Sequence, residues 1–119
     1  MRHHNSNKKF GRQSGERVAL LRSLTVSLIE HGKITTTETK AKSLRPLIEK
    51  MVTKAREASI ADVRLLKAKL GNNSIATEKL VKEIAPKYVG RNGGYTRITK
   101  IGMRSGLGDA SPMAVIEFV

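Results

Sequence analysis

The feature that most constrains the fold is the segment His31–Glu57, where a turn and a short β-favouring run lead into a long stretch with helical spacing. Its apolar residues recur three and four positions apart, so they form one stripe along a helix. Pro46 predicts a kink, because proline cannot donate the backbone hydrogen bond to residue 42. Cations dominate the other side, which is therefore strongly positive. The apolar stripe consists of Ala41, Leu44, Leu47, Ile48, Met51, Val52 and Ala55.

Apolar spacing and stop signals predict three further helices. The first spans residues 14–30, and Gly32 follows it as a C-terminal stop. Its apolar residues spread over a broad arc, which leaves open whether one chain covers that arc or a second copy does. A capping-box-like start at Ser59 begins the next helix. A short helix over about residues 75–85 is expected to end at Pro86.

Two β-favouring runs in the last third of the chain, Tyr95–Arg104 and Met113–Val119, predict an antiparallel hairpin. The short run Ile34–Thr37 is the candidate for a third strand. We therefore expect an α+β fold, in which about four helices pack on a small mixed sheet. That sheet consists of the C-terminal antiparallel hairpin plus one short strand.

The charge of the chain indicates its class of partner. Lysine and arginine number 23 against 10 acidic residues, which gives a formal charge of +13. Nucleic acid is the favoured partner, because basic side chains release counterions from phosphates; an anionic membrane surface is the lesser alternative. No apolar run approaches the roughly 18 residues of a membrane span. Phe and Tyr make up only 3% of the chain, which favours contact with phosphates and RNA shape over base stacking.

Residues 1–13 predict an extended basic arm, because they contain too few apolar residues to fold alone. Residues 14–119 then form a single α+β RNA-binding domain. The alternative for the arm is a tail whose charge serves solubility. The adjacent His3 and His4 do not predict a metal site, since neighbours on an extended chain point apart and no carboxylate is near; contact with RNA suits them better. The chain has no cysteine.

The segment Arg91–Arg97 places glycines beside cations just before the predicted hairpin. Glycines let backbone N–H groups approach a phosphate, and arginines can chelate one. A turn that leads into a strand explains the same residues equally well. The segment lacks the following helix and the Lys-Ser/Thr pair of a nucleotide-binding loop.

Seven short motifs follow one another along nearly the whole chain. They are MRH at the start, KFGR at 9–12, RVALLRSL at 17–24, HGKITTT at 31–37, KAK at 40–42, GGYTRI at 93–98 and PMAVIEFV at 112–119. In this order they resemble the family of bacterial-type protein seventeen of the large ribosomal subunit. The resemblance implies an α+β fold, binding to large-subunit ribosomal RNA and a place near the exit of the peptide tunnel. Residues 4–7 and the loop 104–109 are less basic than in the family.

The expected function is that of a structural constituent of the large ribosomal subunit in the cytoplasm, which stabilises folded ribosomal RNA through its arm and positive faces. Neighbouring large-subunit proteins are expected partners. No membrane span, small-molecule substrate, cofactor, metal site or catalytic residue is expected. The predicted RNA contacts are Arg2, His3, His4, Lys8, Lys9, Arg12, Arg17, Arg22, Lys33, Thr35, Thr36, Lys40, Lys42, Arg45, Arg91, Tyr95, Arg97, Lys100 and Arg104.

Two other functions account for the charge less well. A nucleoid-type DNA-binding protein is expected to show a recognition helix or a groove-inserting wedge, and neither pattern is visible. An enzyme acting on nucleic acid needs a metal-binding or nucleophile constellation. The carboxylates here are few and scattered, and Asp62 and Asp109 are the only aspartates.

Overall fold

The computed structural model describes residue 3 and residues 7–119, and within them the chain forms four α-helices and one three-stranded sheet. The α+β fold expected from the sequence is confirmed. The helices are α1 (Ser14–His31), α2 (Glu38–Glu57), α3 (Ile60–Lys69) and α4 (Ser74–Lys79). The strands are β1 (Lys33–Thr37), β2 (Thr96–Met103) and β3 (Pro112–Phe118).

Helix α1 ends at the glycine that the sequence marks as its stop. Gly32 has a φ of 78°, and its N–H donates to the carbonyl of Leu28 at 2.8 Å. Glycine adopts this left-handed conformation without the steric penalty that other residues meet. Leu28 and Ile29 are fully buried, whereas Val18 near the other end of the helix is 56% exposed. The described chain therefore covers the apolar arc of α1 only in part.

Helix α2 places its predicted stripe in the core. Leu44, Ile48 and Val52 have no exposed surface, while Leu47 at the edge of the stripe is only partly buried. Each fully buried aliphatic side chain of this size stabilises the fold by about 2 kcal/mol. The helix continues through Pro46, which removes one backbone bond but lies on the exposed side.

Helices α3 and α4 both begin with a side chain that satisfies a free backbone N–H group. The Ser59 Oγ accepts a hydrogen bond from the Asp62 N–H at 3.1 Å, as its position before the helix predicts. The Asn73 Oδ1 accepts one from the Ala76 N–H at 3.0 Å. These caps stabilise the first turns of the two short helices.

The helix predicted over residues 75–85 is α-helical only as far as Lys79. It continues as a π-helical turn, Leu80–Ile84, and a 3₁₀ turn, Ala85–Tyr88. Pro86 was expected to end the helix and instead lies within the 3₁₀ turn. Proline is tolerated there because the first N–H groups of a helical turn have no partner within that turn.

The sheet has the strand order β1-β3-β2, and both outer strands run antiparallel to β3. The predicted hairpin and third strand are confirmed, but the sheet is antiparallel throughout rather than mixed. Ile34 and Ile98 flank Ile116 in register on the face that packs on the helices. The register shifts between Lys100 and Gly102, which marks a β-bulge near the end of the hairpin.

Two buried tyrosines, Tyr88 and Tyr95, connect the helices to the C-terminal hairpin. Their ring centroids lie 5.1 Å apart in a tilted arrangement. The Tyr88 hydroxyl donates to the Val119 carbonyl at 2.8 Å, and burial raises the pKa of Tyr88. The Tyr95 hydroxyl lies 3.1 Å from the Arg91 carbonyl oxygen, to which it donates, and 3.3 Å from the Thr53 Oγ1. The two side chains therefore fix the segment that enters β2.

Replacement of Tyr95 by phenylalanine tests this hydroxyl. Tyr95→Phe keeps the ring but removes the hydrogen bonds to Arg91 and Thr53, so we expect a loss of about 1 kcal/mol in the free energy of unfolding. Urea denaturation measures the change. Val89→Ala is a control at an exposed position and is expected to leave stability almost unchanged. An unchanged midpoint for Tyr95→Phe contradicts the structural role.

Replacement of Ser59 by alanine tests the α3 cap. Ser59→Ala leaves the Asp62 N–H without its acceptor, and such losses cost about 1 kcal/mol of stability. Ser105→Ala, in the exposed loop between β2 and β3, makes the same chemical change without removing a cap. Thermal unfolding of the two variants compares them directly, and equal melting temperatures are inconsistent with a stabilising cap.

Candidate nucleic-acid interface

One flank of α2 carries two acidic and two basic residues on the side of the edge strand β2. Glu38, Lys42, Arg45 and Glu49 lie four or three positions apart, so they share one side of the helix. Lys100 on β2 faces the same side chains. We call Lys42, Arg45 and Lys100, with the carboxylates that hold them, the α2–β2 cation cluster.

Glu38 joins the two elements of this cluster. Its Oε1 lies 2.6 Å from the Lys42 Nζ and 3.4 Å from the Lys100 Nζ. The hydrogen bond from Lys42 is the largest cause that holds the pKa of Glu38 below its ordinary value; partial desolvation opposes it, and Lys100 lowers it further. The carboxylate therefore stays ionised at neutral pH. One oxygen thus fixes two ammonium groups that come from distant parts of the chain.

Glu49 has a similar role about three helical turns further along α2. Its Oε1 accepts hydrogen bonds from the Thr96 hydroxyl at 3.0 Å and from the Thr96 N–H at 3.4 Å. The Arg45 Nε lies 3.8 Å from the same oxygen. The Arg45 side chain is half exposed, so its guanidinium is positioned but still accessible. The start of β2 is thereby tied to α2.

The face of the sheet that points away from α2 carries three other predicted contacts. Lys33 and Arg97 flank Glu117 in register, and Arg97 donates two hydrogen bonds to the Glu117 Oε1, at 2.7 and 3.0 Å. Thr35 lies two residues after Lys33 on β1 and therefore on the same face of the sheet. It is exposed and pairs with Val115. These residues and the α2–β2 cation cluster therefore occupy different faces of the sheet.

Two of the predicted contact residues lie in the interior. Thr36 is 8% exposed because it alternates with Thr35 and faces the helices. Tyr95 is 1% exposed and its ring packs against Tyr88. Their side chains are not accessible to a partner in this structure, so we correct their assignment from RNA contact to core.

The glycine-rich turn before β2 is held by the arginine that opens it. The Arg91 Nη2 donates to the Gly94 carbonyl at 2.9 Å, and its Nε donates to the Gly93 carbonyl at 3.3 Å. Arg56, which the sequence did not single out, donates to the Arg91 carbonyl and lies 5.7 Å from the centre of the Tyr95 ring. In this conformation Arg91 shapes the turn that leads into the strand.

The hairpin cation Arg104 is also engaged within its own loop. Its Nη1 lies 3.3 Å from the Asp109 Oδ2, and its Nη2 lies 3.4 Å from the Met113 sulfur. The hydrogen bond that the Ser111 hydroxyl donates is the largest cause that lowers the pKa of Asp109, with Arg104 a smaller one. The loop is therefore ordered by its own side chains.

The remaining predicted contacts lie on the arm, on α1 and at the start of α2. His3, Lys8, Lys9 and Arg12 are exposed, while Arg2 and His4 lie outside the described residues. Arg17 and Lys40 are half-buried. Arg22 is exposed, but its aliphatic part crosses Gly71, where an added Cβ would lie 2.9 Å from the Arg22 Cδ. These residues do not join the α2–β2 cation cluster.

The carboxylates were the residues that sequence reasoning missed. Glu38 and Lys42, and likewise Arg45 and Glu49, are four residues apart, which is the spacing of helical ion pairs. This part of the cluster could therefore be predicted from the sequence. The pairing of Glu38 with Lys100 was not, because the two residues meet only through the tertiary fold.

The part of the chain that the structure describes contains neither a metal-binding cluster nor a membrane-spanning helix. Across residue 3 and residues 7–119, no three histidines, cysteines or carboxylates gather into a group that could hold a metal ion. No described helix is both long enough and apolar enough to cross a membrane.

Comparison with known proteins assigns the family. The family described as Ribosomal protein L17 matches residues 20–119. Large ribosomal subunit protein bL17 of Persephonella marina is 54% identical over 119 residues, which are all of this chain and 95% of that protein. The proteins of the same name from Helicobacter hepaticus and Thermomicrobium roseum are 51% and 50% identical over the whole chain, and cover 100% and 99% of those proteins. These matches show that the chain belongs to the ribosomal protein L17 family.

Proposed function

We propose that this chain is a structural constituent of the large ribosomal subunit that binds and stabilises folded large-subunit ribosomal RNA. The observation that carries the proposal is the α2–β2 cation cluster, where Lys42, Arg45 and Lys100 are positioned by carboxylates yet remain half or more exposed. The relatives are large ribosomal subunit proteins, and this supports the same assignment. As a member of a ribosomal protein family, the chain is not an enzyme.

The cluster suits phosphates because its cations are ordered before RNA arrives. Long lysine and arginine side chains lose rotamer freedom when they bind, and side chains that are already held lose less. Glu38 holds two lysines while contributing only one negative charge, so this group keeps a net positive charge for a phosphate. The release of counterions from the RNA then supplies affinity without reading bases.

The accessible side chains favour a folded RNA over an unpaired strand. Among the described residues no Phe or Tyr is exposed, since Tyr88 and Tyr95 are buried and Phe10 and Phe118 are partly buried. Single-stranded RNA is bound largely by stacking of its bases on aromatic side chains. A surface of cations and threonines instead meets phosphates and 2′-hydroxyl groups of a folded RNA.

The basic arm, residues 1–13, extends this surface in our proposal. Its cations are expected to neutralise phosphates of RNA segments that would otherwise repel one another. We further propose that the protein acts in the cytoplasm within the ribosome, next to other large-subunit proteins and near the exit of the peptide tunnel. Membership of the family supports a place in the large ribosomal subunit.

Removal of two cluster cations tests the RNA surface. We expect Lys42→Gln with Lys100→Gln to weaken binding to large-subunit ribosomal RNA and to lower the slope of log affinity against log salt by roughly two, one for each lost phosphate contact. A salt series of filter-binding measurements gives the slope. A matched control is Lys82→Gln with Lys87→Gln, because Lys82, in the π-helical turn, forms the same i,i+4 pair at 2.6 Å with Glu78 of α4. Equal losses in both double variants would show that only total charge matters.

Removal of the arm tests its separate contribution. We expect a chain that lacks residues 1–12 to bind the same RNA more weakly and with a shallower salt dependence, since four cations of the arm are lost. An equal mass of duplex DNA serves as the competitor. If DNA competes as well as ribosomal RNA, charge alone explains the affinity and the proposal of RNA selectivity is wrong.

A further inference from the structure

A groove with an apolar floor runs between α1 and α2. Val18 and Leu21 line it from α1, and Leu47 and Met51 line it from α2, around a volume of about 280 Å³. Val18 is 56% exposed, and Leu21 and Leu47 are only partly buried. The groove is therefore an apolar surface that no described part of the chain covers. It includes the apolar residues of α1 that remain exposed.

This groove lies on the opposite flank of α2 from the α2–β2 cation cluster. A helix turns by about 100° per residue, so Leu47 is rotated by roughly half a turn from the side shared by Lys42 and Arg45. The contacts agree, since Lys42 meets Lys100 through Glu38, whereas Leu47 and Met51 face α1. A partner can thus occupy the groove while RNA occupies the cluster.

The rim of the groove is positive. Arg22 lines one side, and its aliphatic part is held against Gly71, where no larger residue fits without displacing it. Lys69 at the end of α3 also lines the groove. A second hollow continues from the first, shares Met51 and Lys69, and adds Lys50 and Lys54 to its wall. Cations from three helices therefore border the apolar floor, and among them Lys54 is paired with Asp62 at 3.7 Å.

We propose that this groove binds an amphipathic helical segment of a neighbouring protein, with apolar side chains in the floor and carboxylates against Arg22 and Lys69. Apolar residues three and four positions apart on such a segment match a groove formed between helices. Carboxylates complement the rim and favour one orientation. The inference rests on the proposed function to the extent that the partner is another protein of the same particle.

The same observations disfavour two other occupants. A second copy of the chain would bring another formal charge of +13 against a positive rim, so association is opposed by charge repulsion. RNA bases prefer flat aromatic surfaces, and the floor of this groove is aliphatic. A protein segment with both apolar and acidic side chains satisfies the floor and the rim together.

The test uses the full chain and two synthetic helical peptides of about 15 residues, a length at which an isolated helix is marginally stable. Both carry leucines at helical spacing, and their flanking positions carry glutamate in one and lysine in the other. Fluorescence anisotropy of the labelled peptides measures affinity, and amide shifts of the ¹⁵N-labelled chain locate the contact. We expect the glutamate peptide to bind, with shifts at Val18, Leu21 and Leu47, and the lysine peptide to bind at least about tenfold more weakly.

Two matched variants separate groove binding from general charge. Val18→Asp places a carboxylate at the open edge of the floor, and Ile75→Asp makes the same change at a 76% exposed site on α4. We expect only Val18→Asp to weaken the glutamate peptide, by about tenfold or more, because a charge opposite apolar side chains must be desolvated. Lys69→Glu is expected to do the same relative to Lys67→Glu on the same helix.

Several results would overturn the inference. They are equal affinity for the two peptides, equal effects of Val18→Asp and Ile75→Asp, or peptide-induced shifts centred on Lys42 and Lys100. Self-association of the chain that Val18→Asp abolishes would identify a second copy as the occupant, and shifts at Val18 on addition of an RNA hairpin would identify RNA. Binding of ribosomal RNA by Val18→Asp is measured in parallel, so failure of the groove is distinguished from failure of the RNA surface.

Discussion

Burial of the apolar stripe of α2 is the interaction on which the rest of the structure depends. Leu44, Ile48 and Val52 are wholly buried, and the sheet contributes Ile116 and Ala114 to the same core. With that stripe inward, the rotation of the helix about its axis is set. Each flank of α2 then meets a fixed neighbour, β2 on one side and α1 on the other. The positions of the charged side chains follow from this packing.

Acidic residues matter in this basic chain because they aim the cations. Glu38 draws Lys42 and Lys100 to one oxygen, Glu49 draws Arg45 and the start of β2 together, and Glu117 orders Arg97 on the other face of the sheet. Exposed pairs of this kind contribute little to stability. Their consequence is geometric, since they hold cations at fixed positions where unpaired side chains would sample many rotamers. The cations of the chain still outnumber its carboxylates, 23 to 10.

Much of the fold could be predicted because its signals are local. Each signal influences only the residues next to it in the chain. They are the apolar period of α2, the glycine after α1, the serine before α3 and the β-favouring runs, and the corresponding elements form where expected. The prediction for residues 75–85 was wrong at its end, because the α-helix widens into a π turn and tightens into a 3₁₀ turn around Pro86. Such adjustments depend on how Leu80, Ile84 and Tyr88 pack in the core.

The sequence by itself determined the helices, the hairpin, the family resemblance and the positive character of the chain, since composition, periodicity and motif order are properties of the chain alone. Only the tertiary structure decided which polar residues reach solvent. Tyr95 and Thr36 resemble contact residues in the sequence but are buried, whereas Glu38 gains its role from Lys100, a residue on another element. Pairings between distant segments and the exposure of single side chains arise when elements pack, so no local pattern encodes them.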